Sequence, residues 1–248
     1  MTLEQFFAEN REVAIAFSGG VDSAYLLYAA TRYAARVKAY YVSTAFQPEF
    51  ELADARRLAD ELGADMLVLH VDVLSNSAVT ANPSDRCYHC KNTLFQQILR
   101  AAENDGFPVL LDGTNASDDA GDRPGMRALR ELSVRSPLRE CGLTKAEIRR
   151  LSREAGLFTW DKPAYACLAT RIRTGEEITL QKLKQTEKAE GFLFGLGFRD
   201  FRVRMVGNTA KLELRETDLP LLLENREKIV TELRKDYDSV MLNLEVRK

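Results

Sequence analysis

Long apolar runs are missing from this sequence. No stretch approaches the roughly 20 consecutive apolar residues that a spanning helix needs. Met1 to Arg11 carries Glu4, Glu9 and Arg11 where a secretion signal would carry an apolar core, so a cytoplasmic protein without a membrane partner is expected. An excess of positive charge is missing too. With 35 Lys and Arg against 37 Asp and Glu, the net charge is −2, and no nucleic-acid partner held by clustered cations is expected. Cysteine is scarce. Cys87, Cys90, Cys141 and Cys167 are too few and too irregularly spaced for a secreted disulfide framework, and as thiols in a reducing compartment they bind metals or react. The two histidines, His70 and His89, have no partner at ligand spacing, and His70, ending an apolar strand, reads as a packed residue.

Short β-branched runs alternating with amphipathic stretches fill the first two thirds of the chain, the pattern of βαβ units. Strands are expected at Val13–Phe17, Val37–Ser43, Met66–Val71 and Pro108–Asp112, and helices at Asp22–Ala34, Phe50–Leu62 and Cys87–Ala102. Thr144-Lys145-Ala146-Glu147 has the form of a capping box opening a helix that ends at Gly156. Trp160 to Gly175 has no period and reads as a functional loop. Beyond it, helices at about 179–196 and 218–235 and strands at 201–206, 210–214 and 239–246 make a small α+β module. The expected fold is therefore α/β: a mostly parallel sheet with helices on both faces over residues 1–170, plus a small C-terminal α+β domain over 171–248.

Val13 to Phe17 runs directly into Ser18-Gly19-Gly20-Val21-Asp22-Ser23, and a helical pattern follows at once. Such a strand-loop-helix corner collects backbone N–H groups and the positive end of a helix dipole at one place, and the paired glycines let an anion approach. A tight Gly-Gly turn with a capping Ser or Asp is the bland alternative, but six consecutive residues fit the phosphate-binding form. The Lys-Ser/Thr of a Walker loop is absent. S-G-G-V-D-S after a first strand resembles the signature of the PP-loop ATP pyrophosphatases. The resemblance implies that Ser18, Gly19, Gly20, Val21, Asp22 and Ser23 hold the β- and γ-phosphates of ATP as leaving pyrophosphate, with Mg²⁺ screening the charge, while an acceptor oxygen attacks the α-phosphorus. It also puts Ser43 and Thr44, at the end of the second strand, against adenosine.

Cys87 and Cys90 lie three apart at a helix start, on one face, where they read either as ligands of one metal or cluster or as two packed thiols. Cys167 lies in Lys162-Pro163-Ala164-Tyr165-Ala166-Cys167-Leu168-Ala169-Thr170-Arg171, too irregular for a core element, with Lys162 and Arg171 near enough in sequence to lower a thiol pKa. Taken in order, S-G-G-V-D-S, R-C-Y-H-C-K (Arg86–Lys91) and A-C-L-A-T-R (Ala166–Arg171) are similar to the LarE-type sulfur transferases, a branch that makes the nickel-pincer nucleotide cofactor of lactate racemase and related enzymes. Asp112-Gly113-Thr114-Asn115, Asp118-Asp119, Asp122-Arg123-Pro124-Gly125 and Arg202-Val203-Arg204 share the likeness, which covers nearly the whole chain.

That resemblance implies adenylation of a carboxylate of pyridinium-3,5-biscarboxylic acid mononucleotide and its conversion to thiocarboxylate. Some members of the branch sacrifice one cysteine sulfur. Others hold a [4Fe–4S] cluster with three cysteines, and Cys87, Cys90 and Cys167 match that form, leaving one iron open for a non-protein sulfur. It implies a ring of six chains as well, while the sulfide donor is not legible. Arg171, Arg202 and Arg204 are candidate cations for the substrate's phosphate and carboxylates, and Trp160 a stacking surface, with a solvated strand face and core packing as their plain alternatives. Asp118, Asp119 and Asp122 read as Mg²⁺ or ribose contacts or as turn formers. Cys141 reads as structural. Arg171-Ile172-Arg173-Thr174-Gly175 departs from the branch's R-I-P-Y-G. The rivals are another PP-loop enzyme, either a tRNA thiolase or an amidating synthetase, and a non-catalytic nucleotide or cluster sensor.

Overall fold

In this computed structural model, which describes residues 1–118 and 124–247, the elements run in chain order. They are α1 (Leu3–Glu9), β1 (Glu12–Ala16), α2 (Val21–Tyr33), β2 (Arg36–Ser43), α3 (Glu49–Leu62), β3 (Met66–His70), α4 (Ser77–Thr80), α5 (Arg86–Asn104) and β4 (Leu110–Leu111). Then come α6 (Pro124–Glu131), α7 (Pro137–Glu140), α8 (Lys145–Glu154), α9 (Leu180–Gly195), β5 (Arg202–Val206), β6 (Thr209–Glu213), α10 (Leu219–Glu224), α11 (Arg226–Leu233) and β7 (Ser239–Leu242). By internal contacts the chain divides into two units, Met1–Val73 with Asp85–Ala164, and Leu74–Ser84 with Tyr165–Lys248.

The first unit is built on a sheet of order β3-β2-β1-β4, parallel throughout. Alternation along β1 explains its two cores. Val13 and Ile15 enter the larger one with residues of α1, α2 and α3, while Ala14 turns to the opposite face and packs with Tyr40, Val42, Ile98 and Phe107. Helices therefore cover both faces, and a central parallel strand reads as a continuous apolar run because neither face meets water. β3 is at the sheet's edge, and there His70 is exposed, not packed: one strand neighbour fewer leaves its side chain in solvent.

Three helices of this unit, α1, α6 and α7, are not among those the sequence predicts. α1 carries a Thr2–Gln5 capping box, a signal that was present, and its Leu3, Phe6 and Phe7 are buried. A seven-residue helix does not persist alone, but burying such side chains contributes about 1.5–3 kcal/mol each. The capping box expected at Thr144 and Glu147 is formed, and Gly156 beyond it takes φ 72°.

The second unit pairs β5 with β6 antiparallel and β6 with β7 parallel. α9 and α11 pack beside this sheet. Segment 74–84 belongs to it through backbone bonds of Gly175 N to Asn82 O (2.8 Å) and Ile178 N to Thr80 O (2.8 Å). The Asn82 side chain donates to Arg173 O at 2.8 Å. One break divides the expected 218–235 helix, at Asn225 between α10 and α11.

Within the first unit, Gly113 stands out as a close approach. A Cβ there would lie 2.9 Å from Ser23 N and 3.1 Å from Ser23 Cα, both backbone atoms at the start of α2. Backbone cannot swing aside as a side chain would. Gly113→Ala is expected to destabilise the chain by about 1–3 kcal/mol, as overpacking does, read from the urea midpoint at unchanged m.

Candidate active site

In the order β3-β2-β1-β4, the chain runs one way from β1 to β2 and β3 and the other way to β4. Loops leaving the carboxyl ends of β1 and β4 therefore diverge, and a crevice opens where the direction changes. A cleft of about 310 Å³ lies there. Ser18, Gly20, Asp22 and Ser23 line it from the β1 side, Asp112, Gly113, Thr114 and Asp118 from the β4 side, and Lys91 and Phe95 from α5. The phosphate loop read from the sequence is thus at the mouth of a formed cleft.

The loop is held by its own hydroxyls. Ser23 Oγ donates to Gly20 O at 3.1 Å and meets Ser18 Oγ at 3.0 Å, while Ser18 N donates back to Ser23 Oγ at 3.3 Å. Gly20 is the N-cap of α2 and offers no side chain, so the first-turn amides of Val21, Asp22 and Ser23 lack a protein cap. Gly19 takes φ 72°, and a Cβ on it would press on Ala55 of α3 at 3.2 Å, so both backbone angle and packing demand glycine.

Asp22 has two different oxygens. Its Oδ2 accepts from Lys145 Nζ at 2.5 Å, whereas its Oδ1 is buried with no hydrogen-bond partner. Burial pushes the carboxyl above its ordinary value of 3.8; Lys145 opposes the shift and the nearby Asp118 charge adds to it. Across the cleft, buried Asp112 is already satisfied: it accepts from Thr114 Oγ1 at 2.5 Å, Thr114 N at 3.3 Å and Ser136 Oγ at 2.6 Å. Asp118 both closes a turn, accepting from Asn115 N at 2.9 Å, and lines the cleft. The other acidic candidates of that segment, Asp119 and Asp122, with Arg123, lie outside the described residues. Ser43 ends β2 at the same edge of the sheet, and Thr44 Oγ1 donates to Gln47 Oε1 at 2.6 Å, shaping the next turn.

Cys87 and Cys90 sit near the start of α5, as the spacing predicts, and none of the four cysteines is in a disulfide. Cys87 is exposed, with Arg86 Nη2 3.8 Å from its sulfur. Cys141 packs against the larger core, and burial raises its thiol pKa, in keeping with a structural role. Trp160 lies under the Arg153 guanidinium, 4.9 Å from the ring centre, and its carbonyl accepts from Arg149 at 2.6 Å. Among the described residues, no group of three or more His, Cys, Asp or Glu side chains is gathered as a metal site.

In the second unit, Cys167 opens a short 3-10 turn, Leu168–Arg171. Arg171 departs from the expectation of a substrate contact. It is 1% exposed and its guanidinium grips Glu190 at 2.8 and 2.9 Å, so it shapes the loop and presents no open face to a ligand. Burial works against its charge, and the Glu190 carboxylate more than offsets that. Nor does Lys162 act as a free cation for a thiol, since its ammonium is 2.7 Å from Asp54 Oδ2 and 3.5 Å from Gly19 O. Arg202 and Arg204 do share a face of β5. Arg204 is bonded to Glu213 (2.8 Å) and Thr170 O (2.5 Å). Arg202 is held below the usual arginine range by burial and by the neighbouring Arg171 and Arg247 charges. The Glu190 and Asp200 carboxylates oppose that shift, and Arg202 Nη1 donates to Phe201 O at 2.6 Å.

Comparison with known proteins meets this geometry. The asparagine synthase family matches residues 4–117, the part that carries the phosphate loop and the cleft. Pyridinium-3,5-bisthiocarboxylic acid mononucleotide synthase of Lactiplantibacillus plantarum is 33% identical over 217 residues, covering 87% of this chain and 79% of that protein. The chain belongs to the LarE-type branch of the PP-loop ATP pyrophosphatases. An uncharacterised protein of Synechocystis sp. is 40% identical over 86% of this chain and 80% of its own length. A tRNA-specific 2-thiouridylase of Thermotoga maritima is 26% identical over 59% of this chain and 52% of its own. As a member of this branch the chain is an ATP-dependent enzyme of sulfur transfer.

Two cations of this LarE-type site were not singled out in the sequence. Lys145 hides inside the capping box of α8, whose local signal says only where a helix starts, and its pairing with Asp22 spans 123 residues. Lys91 closes the R-C-Y-H-C-K motif, and one turn beyond Cys87 on α5 it reaches the cleft wall.

Asp22 gives a pH dependence of known sign. With its folded pKa above the unfolded one, the folded chain holds the proton more tightly, so stability falls as pH rises from about 4 through the raised value. Asp22→Asn is expected to flatten that fall in urea titrations taken between about pH 4 and 7. An unchanged slope would show that Asp22 ionises as it does in the unfolded chain.

Proposed function

We propose that the enzyme adenylates a carboxylate of pyridinium-3,5-biscarboxylic acid mononucleotide with ATP and converts it to a thiocarboxylate, the sulfur being handled at Cys87, Cys90 and Cys167. The observation that carries this reading is the uncapped start of α2 beside a buried, unpartnered carboxylate oxygen of Asp22, both on one cleft.

The amides of Val21, Asp22 and Ser23 would bind the β- and γ-phosphoryl oxygens, and the Ser18 and Ser23 hydroxyls would turn from each other to the same oxygens. A lone carboxylate oxygen suits Mg²⁺, which is commonly held by one or two carboxylates together with substrate phosphates, so Asp22 Oδ1 fits it. Mg²⁺ would supply neutralisation of the phosphate charge. Ser43 and Thr44 would face adenosine, and Lys91 would offset charge developing on the phosphates across the cleft from the loop. The substrate carboxylate oxygen attacks the α-phosphorus, the bond from that phosphorus to the bridging oxygen breaks, and pyrophosphate departs with the electron pair. A sulfur nucleophile then adds at the activated carbonyl carbon and AMP leaves. Arg202 and Arg204 would take the substrate's own phosphate, with Trp160 as a stacking surface.

The donor chemistry of three cysteines outside any disulfide suits a [4Fe–4S] cluster, with Cys87, Cys90 and Cys167 as its ligands and one iron left open to carry a non-protein sulfur. A hexameric assembly in the cytoplasm accompanies the reading.

The test is anaerobic reconstitution with iron and sulfide, followed by turnover with ATP and the dicarboxylate nucleotide. About four iron atoms per chain, lost in Cys90→Ser, and replacement of one substrate oxygen by sulfur in the product's mass are expected. Thiolation that survives Cys167→Ala contradicts the reading. A chain that emerges with dehydroalanine at residue 167 places the sulfur donor in the protein itself.

A further inference from the structure

Glu190 has no place in the chemistry above, yet it is among the most completely buried charged groups of the second unit, at 1% exposure in the middle of α9. A carboxylate in that setting is tolerable only when its lone pairs are occupied. They are. Oε1 accepts from Arg171 Nε at 2.8 Å and from Val203 N at 2.9 Å; Oε2 accepts from Arg171 Nη2 at 2.9 Å and from the Tyr165 hydroxyl.

Two of those donors bracket Cys167. Tyr165 precedes it by two residues and Arg171 follows it by four, so the segment between them forms a loop closed at its base by one carboxylate. The guanidinium of Arg171 also stacks on the Tyr165 ring, 4.7 Å from its centre, which ties the two ends to each other. From that base, Arg171 Nη1 reaches back to Ala166 O at 2.7 Å and to Cys167 O at 3.4 Å. Thr170 adds its N–H (3.0 Å) and its hydroxyl (2.8 Å) to the same Cys167 carbonyl. Arg204 Nη1 in turn fixes Thr170 O at 2.5 Å. A turn of this kind has no regular ladder to hold it, so its order rests on these bonds, and the two residues at its base, Arg171 and Tyr165, both end on Glu190.

We infer that Glu190 is a positioning residue for Cys167: through Arg171 and Tyr165 it fixes the backbone that presents the thiol, and thereby sets that thiol's reactivity. The inference rests on the proposed role of Cys167 in sulfur transfer, but the ordering of the loop can be read without turnover. A buried ion pair that merely stabilised the fold would, when broken, loosen the whole unit; one that positions Cys167 loosens this loop first.

The experiment uses the full chain, purified without added iron, and compares iodoacetamide labelling of Cys167 with that of Cys141 in the same sample by peptide mass spectrometry. In Glu190→Gln the ratio of Cys167 to Cys141 labelling is expected to rise about tenfold, as local opening of a half-buried site would allow. The kcat for thiolation should fall by about tenfold while KM for ATP stays within about twofold, since the nucleotide cleft belongs to the other unit. Tyr165→Phe, which keeps the ring and removes one of the donors, should move the ratio in the same direction by a smaller factor, and it decides the matter if Glu190→Gln does not fold. An unchanged ratio in the folded variants, or equal acceleration at both cysteines, overturns the inference. Intact thiolation by Cys167→Ala, with the labelling ratio still raised in Glu190→Gln, would instead remove the proposed role of Cys167 and leave the ordering by Glu190 standing.

Discussion

The contact on which the site depends is backbone against backbone: the loop after β4 comes so close to the first turn of α2 that Gly113 has no room for a Cβ beside Ser23 N. That approach sets the width of the cleft at the point where the sheet changes direction. It keeps the uncapped amides of α2 opposite a polar wall built on Asp112, whose own oxygens are occupied by Thr114 and Ser136. On the far side of the loop, Gly19 rests on Ala55 of α3 and its carbonyl meets Lys162. The phosphate corner is therefore braced from both sides, and the groups left without protein partners, the first-turn amides and Asp22 Oδ1, are those a polyphosphate with its cation would use.

Charge is handled differently in the two units. In the nucleotide unit, Lys145 and Asp22 form a pair with one carboxylate oxygen left over, and burial pushes that carboxyl upward. The second unit instead concentrates arginine: Arg171 is neutralised by Glu190, while Arg202 keeps its charge against burial and two like neighbours. An unsatisfied acceptor in the first unit suits a metal ion, and a group of arginines in the second suits an anion.

Much of this was legible in the sequence because it depends on neighbours along the chain. S-G-G-V-D-S announces itself between a strand and a helix, the Thr144 box opens α8 as written, and the step from Cys87 to Cys90 is a helical step whatever else surrounds it. What could not be read depends on tertiary pairing. Arg171 looks in sequence like a cation free to meet a ligand, and only the distant Glu190 on α9 reveals it as a buried pin. Lys162 is diverted in the same way by Asp54. His70 ends an apolar run but falls on the edge strand, an outcome set by sheet order and not by its own segment. The boundary expected at residue 171 meets a chain that exchanges units at 164/165 and contributes segment 74–84 as well, because Asn82 bonds across some ninety positions to Arg173.

Everything assigned to the cleft requires that ATP be split between its α- and β-phosphates with the terminal pair held by the α2 amides. Phosphorus NMR of the chain incubated with Mg²⁺, ATP and the dicarboxylate nucleotide measures this directly. Pyrophosphate and AMP appearing in equal amounts is the predicted result. Accumulation of ADP and orthophosphate would contradict the account at its root.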